Sequence, residues 1–353
     1  MANYKEVDET LSLVKDFATT EQIQDLLRTR RESVRITGEN KDQIVDRNLR
    51  DAIDSRAIDI EKVFDLIRDA EENGAQHIFF YKAKSRAIAD ALAFENVAPR
   101  MFGTNWKKKL DEDFPQIKLK PNDFKISDFR QLENKPKDWI LKVYGQTIIE
   151  KLTTEQEPEG TTALWRKFKY ESLRIVLMAR WNSPDLLEIR VQRDTSRRRV
   201  EGWHDIVWEK LTPSVMRRQF DPWPLSKIMA NVINRQAKNK TLYNFRGAKL
   251  GDGIGNHATF ETDTETGNLF ASNEMTQSLE SLATKHDPEG LVVTWFPQKN
   301  DTPSKEMRTL LGIKQLERMR NFVGEISNEI IVPAHCLARD LDYVTAQLRS
   351  FSK

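Results

Sequence analysis

Cysteine is nearly absent: Cys336 is the one thiol in 353 residues. That excludes an internal disulfide framework and any zinc site built from several thiolates, and it suits a reducing compartment. Long apolar runs are missing too. No stretch approaches the roughly 18 to 20 residues that a membrane-spanning helix needs, and the opening MANYKEVDET has no apolar h-region. The G-x-x-x-x-G-K-[ST] pattern of a P-loop does not occur, and no low-complexity tract or fixed-period repeat is visible. These absences lead us to expect a soluble, cytoplasmic chain without a membrane span, with nucleoid or chromatin association left open.

With 39% hydrophobic residues the chain can bury one large core or two ordinary ones. The first 75 residues carry helical spacing, as in Val7, Leu11, Val14 and Phe17, then Ile23, Leu26 and Leu27, then Ile44, Val45, Leu49 and Ile53. A helix-stop glycine, Gly74, precedes the strand-like run Ile78, Phe79, Phe80 and Tyr81. Beyond it, strand-like segments (QIKLK, WILKVYGQTIIEKL, KFKYESLRIVLMARW, DLLEIRVQR, ATFETDT, LVVTWFP) mix irregularly with helical ones (PWPLSKIMANVINRQAK, SNEMTQSLESLATKH, ARDLDYVTAQLRSF). The lack of regular strand-helix alternation predicts an α+β fold with a largely antiparallel sheet. We expect a helical unit over residues 1–75 and an α+β body over 76–353, with a linker or long hairpin loop at 150–162.

The formal net charge of +2 conceals an asymmetry. Residues 161–250 hold 19 basic and 8 acidic side chains, for a net +11, against −4 before and −5 after. Five arginines fall within Arg190–Arg199, and five of the eight tryptophans (Trp165, Trp181, Trp203, Trp208, Trp223) lie in the same segment. Arginine forks match phosphate oxygens, and exposed aromatics give unpaired bases a stacking surface. The expected phosphate contacts are Arg197, Arg198 and Arg199 at a turn, with Arg217, Arg218, Arg235, Lys238 and Lys240. Nucleic acid, DNA ahead of RNA, is the expected partner of an adaptor or recognition subunit. The alternative is a scaffold that meets an acidic protein, with the N-terminal helices as a protein-binding element.

Residues 20–54 place Leu26 and Leu27 on a first helix, then Gly38 and Lys41, then Ile44, Val45, Arg47 and Leu49 on a second. This order resembles the SAP-type DNA-binding motif, which would add Arg31, Arg35 and Lys41 to the phosphate contacts. Two residues, not one, separate Gly38 from Lys41, and the spacing after the first helix departs from the motif. A helical N-terminal unit running into AQHIFFYK, followed by a body with ESLRIVLMARW, is similar in order to the centromere protein N family. That resemblance implies a pyrin-like helical domain joined to a basic α/β body that binds nucleosomal DNA.

Signals for catalysis are thin, and no cofactor is expected. Gly251, Gly253 and Gly255 lack the spacing of a dinucleotide loop, and TDTETGNLF lacks a twelve-residue calcium register; both read as turns. A metal-dependent nuclease is a second alternative, resting on the triplets Asp123–Lys125 and Gln116–Lys118 near Asp111 and Asp113. His204 beside Asp205 and His335 beside Cys336 suggest nucleophilic chemistry, but strand neighbours point to opposite faces, which argues against working pairs. Cys336 is expected to be a small core residue, and His77 a core or capping one.

Overall fold

The computed structural model describes residues 4–30, 33–103, 119–156, 165–194, 196–235, 242–251, 257–262, 268–283, 287–295, 311–314, 328–332, 334–336 and 338–353. The fold is α+β, with a helical region ahead of two antiparallel sheets.

Helix α1 (Tyr4–Phe17) buries Val7, Leu11 and Val14 along one stripe. Helix α2 (Thr20–Arg28) opens in a capping box. The Thr19 hydroxyl accepts from the Gln22 amide at 3.2 Å, while the Gln22 side chain accepts from the Thr19 amide at 2.8 Å. Helix α3 begins as Lys41–Gln43, continues through a π-helical stretch Ile44–Leu49 and ends as Arg50–Asp54. The π turn faces buried Asn48 toward the preceding extended segment, where its amide donates to the Thr37 carbonyl at 3.0 Å. Gly38 is required there, because a Cβ would meet Ile44 Cγ1 at 2.9 Å. Helix α4 (Ile60–Glu72) completes this core with Val63 and Ile67.

The first sheet runs β11-β1-β5-β4-β3-β2. Its strands are β1 (Gln76–Ala83), β2 (Phe124–Leu132), β3 (Lys135–Gln156), β4 (Trp165–Asn182), β5 (Leu186–Gln192) and β11 (Glu329–Val332). The short β6 (Phe220–Pro222) shares the edge of β1 with β11. The second sheet runs β10-β9-β7-β8, with β7 (Tyr243–Gly251), β8 (His257–Glu261), β9 (Asp287–Trp295) and β10 (Leu311–Lys314). Residues 150–156 continue β3 opposite 165–170, so the start of the expected linker belongs to a long hairpin arm; residues 157–164 lie outside the described set. The expected strand QIKLK also falls largely outside it.

The first sheet has two unlike faces. One carries Trp139, Leu141, Val143, Ile175, Leu177 and Ile189 and is covered by α5 (Arg86–Ala91), α6 (Phe94–Phe102) and α7 (Arg197–Leu211). The other face sets Ile78 and Phe80 against the second sheet. They share a core with α8 (Leu225–Asn234), α9 (Asn273–Ala283) and α10 (Ala338–Phe351), through Ile228, Leu279 and Val344.

On that same second face a charged layer is buried beneath the helical region. Lys142 has no exposed side-chain surface and lies 3.3 Å from Glu71 and 2.8 Å from Glu72, the last two residues of α4. Glu71 also meets Arg174 at 3.2 Å and accepts from the Tyr144 hydroxyl at 2.7 Å, and Arg174 stacks 3.7 Å above the Tyr144 ring. Arg130 reaches Glu72 at 2.6 Å. Farther along, Arg190 grips Glu188 at 2.6 Å and Arg180 meets Asp342 of α10 at 2.6 Å. Burial alone would raise the Glu72 carboxyl, but Lys142 and Arg130 more than reverse this and hold it at about 2.

Two outcomes are expected. Lys142→Met leaves two carboxylates buried with one cation fewer, which should cost about 3 to 5 kcal/mol in urea unfolding. The stability held by Glu72 is complete above its ordinary value of 4.5 and is lost as pH falls through about 2. Urea midpoints measured across that window should therefore drop, and the drop should shrink in Glu72→Gln.

Candidate nucleic-acid interface

The stretch expected to be a basic turn is instead the first turn of α7, beginning at Arg197. The helix forms because Val200, Trp203, His204, Val207, Trp208 and Leu211 recur at three- and four-residue spacing and are all buried. That stripe faces the sheet and turns Arg198 and Arg199 to solvent. Arg199 is forked onto Asp194, with Nε at 3.0 Å and Nη2 at 2.8 Å. Arg193, exposed at the end of β5, joins the group. It lines a cavity of about 450 Å³ between the helical region and the sheet, together with Asp16, Thr19, Arg190, Asp194 and His335.

Arg217 and Arg218 are exposed in a 3-10 turn, Arg217–Gln219. Arg217 reaches Asp205 on α7 at 3.4 Å. At 1.5 Å per residue, Asp205 lies about 9 to 11 Å along the helix from Arg198 and Arg199. Arg235 lies apart from this group, at the end of α8, with its guanidinium 5.9 Å from the Phe351 ring centroid. Arg35 is exposed in the extended segment before α3. Lys41 turns inward: its ammonium donates to the Lys15 carbonyl at the end of α1, next to Asp16, and desolvation lowers its pKa. Arg31, Lys238, Lys240 and the side chain of Arg197 lie outside the described residues.

Much of the basic surplus is internal. Arg174, Arg180 and Arg190 are held in the charged layer, and Lys249 is buried. The tryptophans are internal as well: Trp181, Trp203, Trp208 and Trp223 are core residues, which removes them as stacking platforms. The side chain of Trp165 lies outside the described set.

The sequence set His204 beside Asp205, and the structure adds two partners that it did not show, Tyr81 and Trp208. Tyr81 Oη lies 2.6 Å from His204 Nε2, and Trp208 Nε1 donates to the same nitrogen at 3.3 Å. With Nε2 accepting, the proton sits on Nδ1, which faces Asp205 Oδ1 at 3.3 Å. Adjacency on a helix thus allows the contact that strand geometry would forbid. Tyr81 and His204 are buried, and desolvation pushes the Tyr81 phenol above its ordinary range, so the cluster braces α7 against β1.

His335 and Cys336 do not pair in this way. The His335 ring meets Gln22 at 2.8 Å and Asp69 at 3.5 Å, while the Cys336 thiol faces the Asn73 carbonyl at 3.7 Å. His77 is buried against Glu329 at 2.6 Å. Among the described residues, no three His, Cys, Asp or Glu side chains are grouped to hold a metal ion. Asp123 and Lys125 stand at the start of β2, and residues 111–118 lie outside the described set.

Burial pushes the Cys336 thiol up to about 12, well outside the reactive range. A thiol reagent such as DTNB should leave the native chain unlabelled and release one equivalent once urea unfolds it. A scan of protein-family models finds no match to this chain, and no curated protein matches it.

Proposed function

We propose that this chain binds nucleic acid, DNA ahead of RNA, as an adaptor or recognition subunit, through the arginines at the β5–α7 junction and the 217–219 turn. The observation that carries the reading is that Arg193, Arg198, Arg199, Arg217 and Arg218 remain exposed around one helix, while Arg180 and Arg190 are buried and Arg174 is half-buried against Glu71.

The arrangement runs against local helix electrostatics. A helix N-terminus carries positive partial charge, so each arginine of the first turn of α7 loses about 0.3 to 1 kcal/mol there, offset at Arg199 by Asp194. A bound phosphate would reverse that sign, since it draws on the guanidinium forks and the helix terminus together. Glu201, Asp205 and Glu209 occupy later exposed positions on α7, which limits the phosphate contacts to its first turn and to the arginines alongside. With four tryptophans in the core, duplex backbone is favoured over stacked single strands.

Fluorescence anisotropy with labelled duplex DNA, single-stranded DNA and RNA over a salt series tests this. About five phosphate contacts should give a log-log salt slope near −4.5 on duplex DNA. The double variant Arg198→Glu, Arg218→Glu should flatten it by about 2 without shifting the thermal transition. An unchanged affinity in that variant would sink the assignment. Failure of all three polymers at low salt would move these arginines to an acidic protein partner.

A further inference from the structure

Ile148, Phe168 and Tyr170 are the large apolar side chains exposed among the described residues, at 51%, 44% and 69%. All three lie on the hairpin arm formed by β3 and β4, and the register places them on one face. Ile148 is opposite Ser172, Glu150 is opposite Tyr170, and Phe168 lies two residues further out on β4. The arm extends beyond its neighbours, since β2 pairs no further than Gly145 and β5 no further than Leu177. Among the described residues it is a two-stranded ribbon past those points, a form that is marginal in water alone.

The outer edge of β4 has a definite polarity. The Val176 amide donates to the Gln192 side chain, on the β5 side. Backbone groups alternate sides along a strand, so the amides and carbonyls of Phe168, Tyr170 and Ser172 point to that same side, where no strand pairs with them among the described residues. Lys169 and Glu171 point their backbone groups inward, toward β3.

We propose that this edge is a self-association surface on which a second copy of the chain pairs antiparallel, with the two-fold axis at Tyr170. Only a register pairing even-numbered residues with even-numbered ones brings hydrogen-bonding groups into opposition, and one centred on Tyr170 matches the charges as well. Lys169 and Glu171, already an ion pair at 3.3 Å within one chain, then each also face the opposite charge of the second copy, at non-hydrogen-bonded positions where side chains approach closest, so the two pairs join in a four-charge cluster. A two-fold contact must be self-complementary in this way. Tyr170 meets its own copy, and the apolar faces of the two arms become one continuous strip. By sequence the arm strands carry Lys151, Arg166, Lys167 and Lys169 against Glu150, Glu155 and Glu171, close to neutral. It is the self-matching order of Lys169 and Glu171 about Tyr170 that selects a second copy as the occupant. The base of the arm lies near α7, since Thr147 and Arg199 line one cavity, but the proposal does not rest on the reading of the α7 arginines.

The test uses the full chain. Sedimentation over a concentration series should show a reversible dimer without added DNA. Lys169→Glu or Glu171→Lys alone puts like charges opposite each other twice per dimer and should weaken association on the order of tenfold. The double exchange, Lys169→Glu with Glu171→Lys, should restore it. In Tyr170→Cys the two Cα atoms would lie about 5.5 Å apart, within disulfide range, so mild oxidation should give a covalent dimer. In Ser172→Cys the equivalent atoms would be about 14 Å apart and no crosslink should form. Buried Cys336 keeps the background low. A monomer up to millimolar concentration overturns the proposal. So does a dimer indifferent to the single charge reversals, a crosslink equally strong at Ser172→Cys, or association that appears only with DNA.

Discussion

Lys142 lies with no exposed side-chain surface between two glutamates that end a helix, and the placement of the helical region over the sheet depends on that contact. Two carboxylates at a helix C-terminus oppose the helix dipole and cannot be buried without cations. Lys142, Arg174 and Arg130 supply them from three adjacent strands, so α4 is located at once along and across the sheet. Apolar contacts alone would tolerate a slide of several ångströms. A layer of paired charges fixes the position, because any shift leaves a desolvated ion without its partner.

The same layer gives the uneven charge along the chain a second meaning. The surplus over residues 161–250 and the deficits on either side partly cancel inside the fold: Arg174 meets Glu71 from the first segment, and Arg180 meets Asp342 from the last. A linear charge count therefore overstates the field outside the protein. Among the described residues, the exposed arginines of the segment are Arg193, Arg198, Arg199, Arg217 and Arg218 around one helix, with Arg235 apart from them. The reading of a polyanion partner rests on those groups and not on the segment total.

The helical first quarter, the strands β1, β4, β5 and β9 and the helices α8, α9 and α10 were legible in the sequence, since their apolar spacing matches a single period. Helix α7 was equally periodic from Val200 to Leu211, but its arginine-rich opening and Gly202 contradicted a helix locally, and packing against the sheet overrode both. The charged layer could not be read. Lys142 sits among Leu141, Val143 and Tyr144, where a lysine suggests an outward position, and its partners lie 70 residues upstream in an unrelated helix. The arginines of the candidate interface were identifiable by type. Their division into internal and external groups required knowing which strand residues face the helical region.

Strand β1 belongs to two cores at once: Phe79 and Tyr81 face the layer under α7, and Ile78 and Phe80 face the second sheet. Its outer edge is closed by β11, and Asn328 donates to the Phe80 carbonyl across 248 residues of sequence. During synthesis that intervening stretch takes about 12 to 50 s to emerge from a ribosome. Strand β6 can close the Tyr81–Ala83 part of that edge once residue 222 has emerged, but the Gln76–Phe79 part waits for β11, so the edge of β1 is completed in two steps separated by about a hundred residues of synthesis.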